Sequence, residues 1–294
     1  MAYPRLYQYR SASAFLRTIN KSSLSLISHK HFNDPEEAKY AFEVYRELLE
    51  NLKIPETEKS NSNFFITCFS TERDSLPMWR SYADECAGIS IGFEFENFSN
   101  QGSRFALNKV TYVGTIDEVK DQLEKTCTDI KRESRYQGHM LSSRGSVLLT
   151  KLVSKIPLFK RNAFSYENEH RIVLYPTSIL PMIDGNTQLS FTEIIKLTKY
   201  DDAATQISWS VEENTIDKEF FPQYNNLAIT MGFFEQEKRI VPHIEWTFDK
   251  NSIKEIIIGP LCKISKEEIN LILACNGFNT SEITITRSNI SLRW

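Results

Sequence analysis

The residues with the clearest chemical capacity stand in Ser165-Tyr166-Glu167-Asn168-Glu169-His170-Arg171. Glutamates two apart on a strand send both carboxylates to one face, where such a pair polarises a sugar hydroxyl and positions an acceptor. The same spacing also occurs at solvated strand edges. Thr67-Cys68-Phe69-Ser70-Thr71-Glu72 ends an apolar run in hydroxyl groups, which serve either as short donors to a phosphate or ribose or as a turn cap. In Met78-Trp79-Arg80-Ser81-Tyr82-Ala83-Asp84, Trp79 and Tyr82 are three apart on one helical face, placed to stack on a base or to fill the core. Tyr7, Tyr9 and Arg10 make an aromatic strand with a cation able to pair with a pyrophosphate.

Other familiar chemistry is missing or weak. There is no Gly-Lys-Ser/Thr loop, no GxGxxG and no HExxH. Gly88-Ile89-Ser90-Ile91-Gly92 spells the Gly-x-Ser-x-Gly of a hydrolase elbow, which needs a sharp strand-to-helix turn at the serine. Here the apolar alternation runs straight through Ser90, so the segment reads as a strand. His29 and His31 near Asp34 are too few ligands to define a metal site, and no metal is expected. The five cysteines are odd in number, scattered and without a CxxC pair, which argues against a disulfide framework or a cysteine zinc site.

The elements that must hold these residues follow from periodicity. Leu6–Arg10, Leu24–Ser28, Phe64–Phe69, Gly88–Phe95, Lys109–Val113, Glu169–Tyr175, Ile240–Phe248, Ile253–Ile258 and Ile283–Arg287 read as strands. Helices are expected at Ala14–Asn20, capped by Ser11 or Ser13, and at Glu36–Leu52, Pro77–Ala83 and Lys266–Cys275. Phe32-Asn33-Asp34-Pro35 is a turn. Residues 115–160 read as mostly helical with a break near Gly138, and 181–226 as a possible insertion in an otherwise single domain, 1–294. Strands and helices interleave irregularly, so the fold class is α+β. Composition agrees: 41% hydrophobic residues suffice for one sizeable core, and a net charge of −3 argues against a broad electrostatic nucleic-acid binder. With neither a signal-peptide core nor a membrane-length apolar run, a cytoplasmic protein without membrane association is expected.

Taken in order, Leu6–Arg10, Phe32–Glu36, Cys68–Ser70, Met78–Asp84, Glu167–Ile172 and Ile256–Pro260 resemble a bacterial family known only as domain of unknown function 2971. The resemblance spans almost the entire chain. The aromatic strand with a cation, the hydroxyl-ended strand and the Glu-x-Glu strand also resemble, more distantly, the three-part signature of ADP-ribosyltransferases. That resemblance implies split mixed or antiparallel sheets with flanking helices, and NAD as co-substrate. It implies Glu169 as the catalytic carboxylate, Glu167 as the acceptor-orienting one and Arg10 as the first-strand cation, since Gln8 occupies the usual cation position. The NAD-binding set it implies is Tyr7, Tyr9, Ser70, Thr71, Trp79, Tyr82, Asn33, Asp34 and Arg171.

The expected function is therefore an ADP-ribosyltransferase or NAD-cleaving enzyme acting as a bacterial toxin or anti-phage effector. The ADP-ribose acceptor, a protein or a nucleic acid or else water, and any neutralising or regulatory partner protein stay unidentified. Two other readings stand beside it. One is a catalytically inactive module of the same fold that binds a nucleotide or a protein. The other is a metal-dependent nucleic-acid-processing enzyme using Asn33, Asp34 and the glutamate pair.

Overall fold

The computed structural model describes residues 4–29, 39–51, 64–95, 105–133, 154–174, 206–209, 229–236 and 239–292. The turn at 32–35 with Asn33 and Asp34, His31, the break near Gly138, and all of 181–226 except 206–209 lie outside the described residues.

β3 (Phe65–Ser70) organises the sheet. One of its edges is paired along its whole length with β8 (Glu169–Leu174), in the register Phe65↔Leu174 to Ser70↔Glu169, and β8 is paired in turn with β5 (Phe105–Lys109). The other edge is shared. β2 (Ser23–Ser28) pairs with its start at Ile27↔Ile66 and Ser28↔Phe65, and β1 (Leu6–Arg10) with its end at Tyr7↔Ser70. From β1 the sheet continues through β4 (Ile89–Phe93) and β12 (Ile253–Ile258) to β13 (Thr284–Arg287). From β2 it continues through β11 (Arg239–Thr247) and β10 (Ile229–Gln236) to β9 (Gln206–Trp209). The sheet is thus mixed and mostly antiparallel, with β12 and β13 as its parallel pair. It forks where β1 and β2 part. A separate two-stranded parallel ribbon is formed by β6 (Thr111–Val113) and β7 (Phe159–Arg161).

Paired residues share a face, and alternation along each strand sorts the side chains. One face carries Leu6, Phe65, Phe69 and Ile172, and it packs on Phe15 and Ile19 of α1 (Ala12–Lys21) and on Ile269 and Leu273 of α5 (Lys266–Cys275). The opposite face is covered in two parts. α2 (Lys39–Asn51) and α4 (Ile116–Glu133) bury Ile66 and Val173, while α3 (Leu76–Tyr82) sets Met78 and Trp79 on Tyr7, Tyr9 and Ile257. Local signals start these helices where the sequence places them. Ser11 Oγ accepts from the Ala14 N–H, Pro77 opens α3, and Ser265 and Glu268 form a reciprocal capping box on α5.

The structure corrects several expectations. Lys109–Val113 is two strands in different sheets, β5 and β6, because Val110 turns inward and its N–H donates to the Glu169 carbonyl at 2.9 Å. The stretch 115–160 is helical to Glu133; then, beyond residues 134–153, which lie outside the described set, a 3-10 turn at Ile156–Leu158 with Pro157 leads into β7. β10 falls in a stretch for which the sequence suggested no element. Ser90 lies mid-strand with a buried hydroxyl that has no hydrogen-bond partner, so it occupies no elbow. Among the described residues, no helix is long and apolar enough to cross a membrane.

β1 ends in a backbone-to-backbone contact that requires glycine. A Cβ on Gly88 would lie 2.1 Å from the Arg10 carbonyl oxygen, and one on Gly259 would lie 2.6 Å from the carbonyls of Cys86 and Gly88. Neither neighbour is a flexible side-chain tip. Gly88→Ala is therefore expected to cost about 1–3 kcal/mol or more by overpacking. Equilibrium denaturation checks this, and an unchanged midpoint would show that the β1 end can yield.

Candidate functional site

Where β1 leaves β3, the Thr67–Phe69 edge loses its ladder partner, and an unpaired buried carbonyl is costly. Gln8 fills the gap. Its Nε2 donates to Cys68 O at 3.1 Å and to Thr67 Oγ1 at 2.9 Å, and its Oε1 accepts from Arg10 Nε at 2.8 Å. Gln8, at the position where the resemblance expects a cation, thus bridges the fork and holds the cation two residues on. At this fork lies a cavity of about 510 Å³. Tyr7–Arg10, Ile66–Ser70, Tyr82, Lys160, Glu167, Glu169 and Arg171 all line it, with residues of α1 and β2.

The two glutamates meet here by a route the sequence reading did not foresee. Glu167 is not a strand residue; it ends a 3-10 turn, Asn162–Glu167. Asn168 follows in the left-handed region at φ 41°, a conformation asparagine tolerates better than most residues. Its side chain donates to Glu72 Oε1 at 2.6 Å, and its carbonyl accepts from the Thr71 N–H at 3.2 Å. This kink, rather than strand alternation, brings the carboxylates together. Both accept from one ammonium: Lys160 Nζ is 2.6 Å from Glu167 Oε2 and 2.8 Å from Glu169 Oε2.

Further donors surround the pair. Arg171 grips Glu169 through Nε at 2.7 Å and Nη2 at 2.9 Å, while its Nη1 donates to Pro157 O at 2.6 Å. Tyr82 OH donates to Glu167 Oε1 at 2.8 Å. The Glu169 N–H donates to Tyr112 OH at 2.8 Å. Arg171, Glu167, Glu169 and Lys160 are 1, 3, 3 and 6% exposed, so four ions sit out of water within one connected network. Burial by itself would raise the pKa of Glu169, but Arg171 and Lys160 outweigh it and hold the carboxyl at about 2. Burial pushes the Tyr82 phenol well up and the Tyr112 phenol to about 12, so both are neutral at physiological pH. Burial, and then Glu169, also raises the Cys68 thiol. Desolvation, with Arg17 adding to it, lowers Arg10 to about 10.

The remaining candidates divide. Ser70 is in the site, but its hydroxyl is engaged, donating to Glu167 O at 2.5 Å and accepting from the Glu72 N–H at 2.9 Å. Thr71 lies beyond the strand end, at the turn that holds Asn168. Tyr7 and Tyr9 share the Glu169 face of the sheet but turn their hydroxyls away, to Glu255 Oε2 and to Glu72 O. Trp79 is fully buried edge-on against Tyr9, with Nε1 donating to Asp74 Oδ1, so its ring fills the core; Tyr82 is the member of that pair that reaches the cavity. Arg10 projects from β1 on the face opposite Tyr7 and lines the cavity at the fork. His29 packs on the Phe42 and Phe64 rings. Among the described residues, no three His, Cys, Asp or Glu side chains are grouped to hold a metal ion.

Lys160 and Tyr112 are the functional residues the sequence reading missed. Lys160 lay at the end of a stretch read as helical and carries no motif. The only sequence hint is Ile156-Pro157, which forbids a helix continuing into it.

A depressed carboxyl pKa stabilises the fold above the unfolded-state value of about 4.3, and that contribution is lost as pH falls through the folded value of about 2. Glu169→Gln is expected to cost about 3–5 kcal/mol near neutrality, because it leaves buried cations unpaired. Its deficit against wild type shrinks as pH falls from about 5 toward 2. Denaturation at a series of pH values measures the gap, and a deficit constant across that window would mean Glu169 is not ionised in the fold.

A family model described as "Protein of unknown function (DUF2971)" matches residues 78–172, the span that carries Tyr82, Tyr112, Lys160, Glu167, Glu169 and Arg171. No curated protein and no solved structure matches the chain.

Proposed function

We propose that the cavity at the fork is the active site of an NAD-cleaving enzyme or ADP-ribosyltransferase, with Glu167 and Glu169 as its acid pair. One observation carries the reading. The three signature segments, Tyr7–Arg10, Thr67–Ser70 and Glu167–Glu169, are far apart in sequence, yet they lie on or beside neighbouring strands and line one cavity. Its volume is in the range of about 300–1,000 Å³ usual for small-molecule sites.

In the proposed reaction the bond between ribose C1′ and the nicotinamide nitrogen breaks, and its electron pair leaves on nicotinamide. The positive charge that develops on the ribose is stabilised by the carboxylates, one accepting from a ribose hydroxyl. An acceptor or water then bonds to C1′ and gives up its proton, for which Glu167 is the nearby base. Arg10, at the fork, is placed for the pyrophosphate and Tyr82 for the nicotinamide or ribose edge. A split-sheet ADP-ribosyltransferase architecture belongs to the same proposal, and the fork in β3 supports it. The biological role, a toxin or anti-phage effector, is part of the same proposal.

A second reading, a nucleotide-binding module without turnover, is favoured by the crowding of Glu169, which accepts from Arg171 twice and from Lys160. The two readings separate on nicotinamide release from NAD, measured with the purified protein alone and with cell lysate. Turnover is expected and should fall about 10²–10³-fold in Glu169→Gln. Full activity in that variant would sink the carboxylate assignment. NAD binding by calorimetry with no release from wild type would establish the binding module.

A further inference from the structure

The β6–β7 ribbon stands apart from the main sheet, yet both of its strands reach the acid pair. β7 supplies Lys160 Nζ to both carboxylates, and β6 supplies the Tyr112 hydroxyl to the Glu169 N–H. Since both carboxylates lie within 2.8 Å of one nitrogen, they are close enough to repel strongly without it. Among the described residues, Arg171 is ion-paired with Glu169. Among the described residues, Tyr82 from α3, Tyr112 from β6, Cys68 from β3 and the Phe164 ring at 5.2 Å also face Lys160, and they are neutral.

We propose that this ribbon is the positioning element of the site, with Lys160 holding Glu167 and Glu169 side by side as two anions and Tyr112 fixing the backbone between them. The proposal rests on the reading that the pair faces a ligand, but its first test does not depend on NAD. Lys160→Met keeps the length of the side chain and removes the charge. One carboxyl of the pair then titrates above its ordinary value, because the like charge beside it and burial both disfavour its ionised form. A group whose folded pKa is raised stabilises most below the unfolded value, and this contribution is lost as pH rises through the folded pKa.

Thermal melting between pH 5 and pH 7 reads this directly. Lys160→Met is expected to be most impaired at pH 7 and to recover toward wild type at pH 5. Lys160→Arg should behave as wild type at both. The double variant Lys160→Met with Glu167→Gln should lose the pH dependence, because the repulsion is gone. A Lys160→Met deficit equal at pH 5 and 7, or a double variant that keeps the dependence, would overturn the proposal. Should Lys160→Met fold at neither pH, folding of the double variant supports it and failure of the double variant overturns it. In nicotinamide release, the acid limb of the pH profile should move to higher pH in Lys160→Met and stay in place in Lys160→Arg. Absence of release from wild type, with the melting result intact, would count against the NAD reading and leave the positioning role standing.

Discussion

Removing an ionised side chain from water costs several kcal/mol even after the protein relaxes around it, and this molecule buries four of them in one place. Glu167, Glu169, Lys160 and Arg171 are each at most 6% exposed. The arrangement is tolerable only because the charges balance and each ion has more than one partner. That requirement reaches outward into the fold. β8 must bring Glu169 and Arg171, the 3-10 turn must end so that Glu167 faces back, β7 must deliver Lys160, and α3 must present Tyr82. A shift in any one of them leaves a buried charge short of a partner, a far larger penalty than a lost apolar contact.

The fork in the sheet has a related cause. β3 offers one edge to two strands, and neither covers it fully. Had β1 continued along it, the ladder would have closed and filled the cavity with backbone. Instead one amide side chain, Gln8, satisfies the carbonyl left without a ladder partner, and the divergence of β1 and β2 leaves room beside the acid pair. Gln8 also fixes Arg10 through its Oε1. Gln8, standing where the resemblance expects a cation, therefore maintains both the opening and the cation at its rim.

The strands and helices nearest the site were legible in the sequence, since alternation and capping dictate them locally. α5 has the predicted bounds, Lys266–Cys275, because Ser265 and Glu268 cap it reciprocally. The strand Glu169–Leu174 lies within the expected Glu169–Tyr175, and its period-two alternation puts Ile172 and Leu174 on one face and Val173 on the other. What was not legible depends on long-range partners. The meeting of Glu167 and Glu169 was foreseen from a strand that Glu167 does not belong to; the true cause is the left-handed turn at Asn168, stabilised by Glu72 nearly a hundred residues away. Lys160 belongs to a three-residue strand, too short for any periodicity, and nothing nearby in the sequence announces its partners. Trp79 and Tyr82 share a helix face on paper, but α3 sits at the cavity margin, so one ring enters the core and the other the cavity.

The same hydrogen bonds bear on how the two carboxylates divide the work. Each carboxylate offers about four acceptor positions. Glu169 has three of them taken, two by Arg171 and one by Lys160, and its oxygens are oriented by the most buried cation of the group. Glu167 accepts only from Tyr82 and Lys160 among its described contacts, so it keeps capacity for a hydroxyl from a ligand. The cluster has no net formal charge, so on the proposed reading its attraction for a developing cation comes from directed lone pairs rather than from a negative field. Directed lone pairs act over one hydrogen-bond length. On the proposed reading, Glu167, with the more open positions, is therefore the carboxylate that touches a ligand first, while Glu169 stays fixed by its cations.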